Sequence, residues 1–462
     1  MALMGMNPMM AGGIIQIPTS DPLPPVSARR HLQERTSVLR KLIWAYLILW
    51  LIEGALRRWF LPGLATPLLL IRDPLVIVIY CFAISSNLFP VNGFVIWGTL
   101  LAFLSFGYAM LLGHGNVLVA LYGVRCDFLH VPLIFIMGKV VRQKDITALA
   151  KLAVWVAVPY TALLVTQFYA PQDAWVNRGV GGNMDGAGFS GALDRFRPPG
   201  TFSFISGPAQ LYPLFTACWF TLLLTRQLPV WTMIASGGAI LITIPISISR
   251  TLFLSVAIVA MTGVLGMIVG RRLSAKLVVE FALALLVLST LARQSQVVRD
   301  GMEAFNARWE GATVESGGFQ EAIVDRVLND LFGSFAGVTY SGLGTGYSTN
   351  VGQKTLTEEV GFGASESEWG RLLYDDGFIL GSIIIVYRIA LSSLIAFTAL
   401  RAWRNNSPES LLFASACFLI VLNGQWGQAT TQGSAVIGGG LALAAASNPG
   451  NANASAKRRN ET

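Results

Sequence analysis

Apolar runs of about 20 residues recur along this chain, and a run of that length has one natural setting. As a helix rising about 1.5 Å per residue it just crosses the hydrocarbon of a bilayer. Such runs lie near 41–57, 66–85, 93–112, 117–137, 150–170, 206–225, 229–248, 251–270, 277–292, 377–399, 409–426 and 432–447. Charged residues make up 13% of the chain, against about 25% in soluble domains. The sequence therefore predicts an all-α fold: a polytopic transmembrane helical bundle of about 12 spans. It excludes a soluble multidomain protein.

The formal net charge is +8 and the pI is near 9.5. The bases cluster at the ends of apolar runs, as the positive-inside rule requires, so a nucleic-acid partner is rejected in favour of the lipid bilayer. The four cysteines lie in or beside apolar runs without ligand spacing, and the three histidines are scattered. No metal site and no cofactor is expected.

Placing the N-terminus in the cytoplasm gives a coherent topology. Lys139, Arg142, Lys144, Lys151, Arg226, Arg271, Arg272, Lys276, Arg401 and Arg404 then fall inside, with the tail bases Lys457, Arg458 and Arg459. Arg57 and Arg58 dissent, in an outer turn. Residues 1–37 read as a disordered cytoplasmic tail, 38–448 as the membrane domain and 449–462 as a second cytoplasmic tail. Two larger outer loops follow, 171–205 and 293–376. The second holds thirteen of the twenty-five acids against six bases. Within it, Ile323, Val324, Val327, Leu328, Leu331 and Phe332 repeat at helical spacing, which predicts an amphipathic helix over 318–335.

The first outer loop ends in DRFRPPGTFSFISGPAQ (194–210). Arg195 and Arg197 precede a stiff Pro-Pro, and arginine engages phosphate oxygens through a planar fork. The competing reading is a pair of interfacial arginines that snorkel to headgroups. Ser249-Arg250 stands at another outer turn, as a phosphate contact or as a plain helix-end charge. Arg125 and Asp127 lie inside an apolar run, and are read as a polar cavity wall or as a structural ion pair. Arg72-Asp73 is read the same two ways, with the structural ion pair between helices, or a place nearer the surface, preferred because Pro74 suggests a kink with local pairing. Glu53 and Arg57 make an i,i+4 pair. Arg388 and Glu280 receive no role.

The second loop carries GLGTGYSTN (342–350), then Glu366, Glu368, Trp369 and Arg371. No Gly-Lys-Ser/Thr follows the glycines, so a Walker phosphate loop is excluded. On a helix, Glu368, Arg371 and Asp375 pair at i,i+3 and i,i+4, which predicts a self-paired, solvated helix start. Glu366 has no such partner and can serve as a general base toward a hydroxyl.

Together these segments resemble the O-antigen polymerase and O-antigen ligase superfamily of bacterial envelope proteins. Arg197 before Gly200-Thr201-Phe202, the Ser249-Arg250 pair, and Glu366-Ser367 spaced from Gly377 match that family's short motifs. Glu366 stands where ligases carry histidine, which favours polymerase over ligase and leaves Glu368 as a rival base. The resemblance implies a metal-independent glycosyltransferase of the bacterial inner membrane with its active site periplasmic. Its substrate would be an oligosaccharide on polyprenyl diphosphate, usually undecaprenyl, and the family also admits a chain-length regulator as partner. Arg197, Arg250 and Glu366 would be catalytic. Arg195, Arg125, Arg326, Glu368 and Arg371 would bind substrate, and segment 318–335 would roof the cleft. The alternatives are a ligase making a single transfer, a transporter or lipid-linked sugar flippase, and a structural scaffold.

Overall fold

The computed structural model describes residues 26–186, 189–225, 227–269, 294–315, 340–357, 367–405 and 407–447. Its helices are α1 Val26–Ala55, the short α2 Ala65–Leu68, α3 Arg72–Ser85, α4 Gly93–Leu111, α5 Val117–Val124, α6 Val131–Val140, α7 Gln143–Tyr169, α8 Ser206–Thr225, α9 Val230–Ile246 and α10 Arg250–Val269. They continue with α11 Gln296–Glu315, α12 Asn350–Leu356, α13 Glu368–Arg404, α14 Pro408–Asn423 and α15 Ala429–Ser447. Among the described residues, six helical stretches are long and apolar enough to cross a membrane: Pro62–Ser85, Gly93–Leu111, Val117–Val140, Gln143–Tyr169, Arg250–Val269 and Glu368–Arg404. The protein is thus an α-helical membrane protein. The apolar run at 277–292 and the amphipathic segment 318–335 lie outside the described residues. α1 already begins at Val26, so part of the segment read as a disordered tail is helical.

α8 and α15 form the centre, buried along nearly their whole length. α15 achieves this with small residues. A side chain at Gly438 would overlap Cys417 of α14, and one at Gly440 would overlap Met137 of α6. Close backbone approach of this kind packs helices where lipid removes the hydrophobic drive. α4 is peripheral. Phe103 is 73% exposed, and Leu100 and Leu104 also face outward, as a lipid-facing surface requires.

Two departures from the expected fold matter for the site. The 171–205 loop contains a small antiparallel hairpin, β1 Phe189–Ala192 with β2 Arg195–Arg197, turned by Leu193 and Asp194 at positive φ. The fold is therefore not purely helical. α13 is broken at Gly377 (φ 76°, ψ 172°). In a straight helix, Glu368 and Arg388 would stand about 30 Å apart; here their side chains meet at 2.6 Å. The 368–376 segment therefore folds back beside the main helix, and a Cβ on Gly381 would strike the Leu372 carbonyl at 2.6 Å. Gly377→Ala places a side chain in a left-handed conformation, 2.7 Å from the Gly342 nitrogen. A loss of about 1–3 kcal/mol is expected, read as a lower unfolding midpoint in detergent.

Candidate functional site

A buried network of charges fills the place where α1, α3, α13 and the ends of α14 and α15 meet. Its centre is a π-helical turn at Arg125–Leu129 between α5 and α6. Such turns widen the helix and often mark functional positions. Arg125 grips Asp73 through two hydrogen bonds of 2.8 and 3.0 Å, and the carboxylate also meets His130 Nε2 at 2.9 Å. The other His130 ring nitrogen meets Tyr46 Oη at 3.0 Å. Arg72 reaches Glu53 at 3.1 Å and Tyr46 at 3.2 Å. The Arg72-Asp73 pair is therefore not locally paired: the two charges point to different helices. Glu53 lies 3.6 Å from Arg57, as its spacing predicts, but the shorter contact is to Arg72.

Two residues beyond Arg125, Asp127 pairs with Arg371 at 2.5 Å. Arg371 also holds Glu368 at 2.9 Å and Asp375 at 3.4 Å. The spacing of this triplet was legible in the sequence, but its solvation was not. Glu368 is 1% exposed and Arg371 6%, because the fold-back at Gly377 carries the segment into the bundle. Arg388, which had no assigned role, closes the network on Glu368. Arg125, Glu368 and Arg371 thus occupy buried ion pairs, where the sequence reading had them binding substrate.

A second assembly holds the 171–205 loop. Arg58, 1% exposed, donates to the carbonyls of Arg178 at 2.6 Å, Gly200 at 2.9 Å, Phe202 at 3.0 Å and Val176 at 3.1 Å. Burial pushes its guanidinium down to about 10. The dissent of this arginine from the charge rule now has a reason: it ties down loop backbone. The Gly-Thr-Phe stretch follows the same logic. Gly200 takes φ 64°, where a Cβ would strike the Tyr160 hydroxyl. Thr201 Oγ1 donates to the Leu51 carbonyl near the end of α1, and buried Phe202 packs on Trp50.

The hairpin beyond this latch is bordered by arginines. Arg195 lies over the rings of Phe168 and Tyr169 and 3.9 Å from Asp300 of α11, which also accepts the Tyr169 hydroxyl. Arg308 of α11 donates to the Gly191 carbonyl at 3.2 Å. A Cβ on Gly191 would touch both Arg197 Cγ and Ile248 Cδ1. Ile248 is fully buried and holds φ 46°, which is unusual for a β-branched residue. It immediately precedes Ser249 and Arg250, the first residue of α10. Phe253 of α10 packs edge-on against Phe305 and Trp309 of α11. Arg195, Arg197, Arg308 and the α10 start bearing Arg250 therefore border one hairpin. Beside it, a cavity of about 460 Å³ is lined by Tyr169, Asp173, Asp185, Asp194, Arg195 and Phe196 among others.

The loop between α14 and α15, Gly424–Gln428, joins the two assemblies. The Trp426 amide donates to Glu368 at 3.1 Å, and Ser206 donates to Gln428 at 3.0 Å. Gln432 donates to the carbonyls of Arg125 and Cys126. This loop was missed in the sequence. Its signal was present as four amide side chains (Asn423, Gln425, Gln428, Gln432) clustered where one apolar run ends and the next begins. Glu366 and Arg326 lie outside the described residues. Among the described residues, no group of three or more His, Cys, Asp or Glu is arranged to hold a metal ion. No protein-family profile, no curated protein and no solved structure matches this chain.

Proposed function

We propose that this protein is a membrane-embedded glycosyltransferase that polymerises oligosaccharide units carried on polyprenyl diphosphate. In this reading it crosses the bacterial inner membrane about 12 times, with its termini cytoplasmic and the hairpin periplasmic. The observation that carries the reading is the set of arginines, Arg195, Arg197 and Arg308 with the Arg250 helix start, around a single hairpin. In the reaction, an acceptor hydroxyl attacks the donor's anomeric carbon, the bond to the lipid diphosphate breaks, and the diphosphate leaves with its electron pair. Fixed guanidiniums stabilise that developing charge without a metal.

The acceptor's proton needs a base. Glu368 is a poor one, because its two oxygens already accept from Arg371, Arg388 and the Trp426 amide. Glu366 is then the candidate base. Membranes supplied with an undecaprenyl-diphosphate repeat unit test the assignment. Wild type should give a chain-length ladder. Arg197→Ala should slow it about 10²–10³-fold, the usual loss for one preorganised donor, and Glu366→Gln should abolish it. Undiminished ladders from both variants would overturn the assignment, and a single transfer product would favour the ligase reading.

The transport reading is favoured by one feature, the helix break at Gly377 beside buried charges. Transporters place substrate at such breaks. Solute flux through purified protein in liposomes, without glycosyl transfer, would select it.

A further inference from the structure

The buried charges around Arg371 do not cancel. Asp127, Glu368, Asp375 and Asp376 lie together, none more than 4% exposed. Among the described residues, the cations that face them are Arg371 and Arg388. Four carboxylates against two guanidiniums leave two negative charges in excess. The adjacent set carries no such excess of acid, with Glu53 and Asp73 against Arg57, Arg72 and Arg125. A buried carboxylate left ionised and unpaired is too costly to persist, so it gathers positive charge or takes up a proton.

The excess localises at Asp376. Asp127 and Glu368 are paired with arginines, and Asp375 reaches Arg371 and accepts the Ser348 amide at 3.0 Å. Both carboxylate oxygens of Asp376 are buried without a hydrogen-bond partner of normal geometry. The hydroxyl it faces belongs to Ser105 of α4, whose Oγ is fully buried and equally unsatisfied. A water molecule would supply hydrogen bonds but no charge. Asp376 is also the last residue before the break at Gly377, where the regular helix stops. Broken helices beside buried carboxylates are one way membrane proteins hold small cations. One compact cation at Asp376 would offset one of the two excess charges, while the other rests on Asp375, which shares Arg371 and accepts the Ser348 amide.

We propose that Asp376 and Ser105 form a binding site for one compact cation, a proton or an alkali-metal ion, at the break in α13. The other charged groups facing it are Asp375 and Arg371 on its own helix and Asp127 on the 125–129 turn, and the Tyr108 hydroxyl of α4 lies at the break, where it accepts the Gly342 amide at 2.8 Å. The loop packed on the break places Gly342 against Gly377. A bound cation would lower the cost of the buried carboxylate and fix the angle between the 368–376 segment and the rest of α13. The site does not depend on the glycosyltransferase reading, since its test measures stability, not transfer.

The full-length chain, purified in mild detergent, is unfolded thermally while sodium chloride replaces choline chloride at fixed pH and ionic strength. A second series varies pH from 8.5 to 5 without sodium. For an alkali-metal ion, the wild-type midpoint should rise with sodium by about 2 °C per tenfold once the site begins to fill. For a proton it should rise as pH falls in the sodium-free series. Asp376→Asn, which keeps shape and removes the charge, should lose the response. Ser105→Ala, which keeps the carboxylate, should shift it to higher cation concentration. A wild-type midpoint indifferent to both series would overturn the proposal, as would an Asp376→Asn response equal to wild type.

Discussion

Arg371→Met should cost about 3–5 kcal/mol, a large share of the roughly 5–15 kcal/mol that holds a typical domain folded. The guanidinium contacts three carboxylates at once: Asp127, Glu368 and Asp375. Its removal leaves four buried carboxylates against Arg388 alone, and the desolvation of each is no longer offset. Arg371→Lys should recover little. A point-charge ammonium cannot span two sides of the network as a planar fork does. Asp127→Asn added to Arg371→Met should restore part of the loss, because the two residues share one interaction. The measurements are the amount of protein inserted in membranes and its unfolding midpoint. If Arg371→Met protein were as stable as wild type yet inactive, Arg371 would belong to the substrate site and not to the scaffold.

How far the sequence foretold these features depends on the range of the interaction. Apolar length is a local property, so the helix at 93–112 was legible nearly to both ends; the one at 150–170 was legible only at its C-terminal end, because its polar first turns from Gln143 carry no apolar signal. Spacing along one helix is local too. The Glu53–Arg57, Glu368–Arg371 and Arg371–Asp375 pairs were read from i,i+3 and i,i+4 separations, and all three form. The partners that decide burial are not local. Arg72 with Glu53, Arg125 with Asp73 and Arg371 with Asp127 join residues 19, 52 and 244 positions apart. No pattern along the chain distinguishes such a charge from one that meets solvent. Gly377 was recognised as the start of a span, but nothing nearby showed that it takes φ 76° and reverses the chain. That reversal turns an expected solvated helix start into a buried polar region of the bundle. The candidate site was legible in part: the Arg195–Arg197 segment and Ser249-Arg250 were singled out, the first being a strand of the hairpin and the second following Ile248, which lies against it. Arg308 on α11 and the Gly424–Gln428 loop were not singled out, because their relevance lies in what they touch.

Arg58→Ala should release the 171–205 loop. The side chain donates to four carbonyls of that loop, with Gln167 and Asn177 completing the set. Gln167 donates to the Val176 and Gly200 carbonyls and accepts the Gly200 amide, and Asn177 donates to three carbonyls at 167–171. Each buried carbonyl left unmade costs about 1–3 kcal/mol, partly recovered as water enters. A net loss of about 3 kcal/mol or more at the loop is therefore expected. The bundle should survive, because α8 and α15 pack independently of this latch. The effect should thus be local: faster proteolytic cleavage between residues 171 and 205, with the helical signal retained. Arg58→Lys should protect only partly, since an ammonium has three donors and no planar fork to divide among four acceptors. The Arg195–Arg197 strand hangs from this loop, so any transfer activity should fall in step with cleavage. A loop as resistant to protease in Arg58→Ala as in wild type would mean that the hairpin is held by its contacts with α11 instead. Arg308→Ala would then be the substitution that frees it.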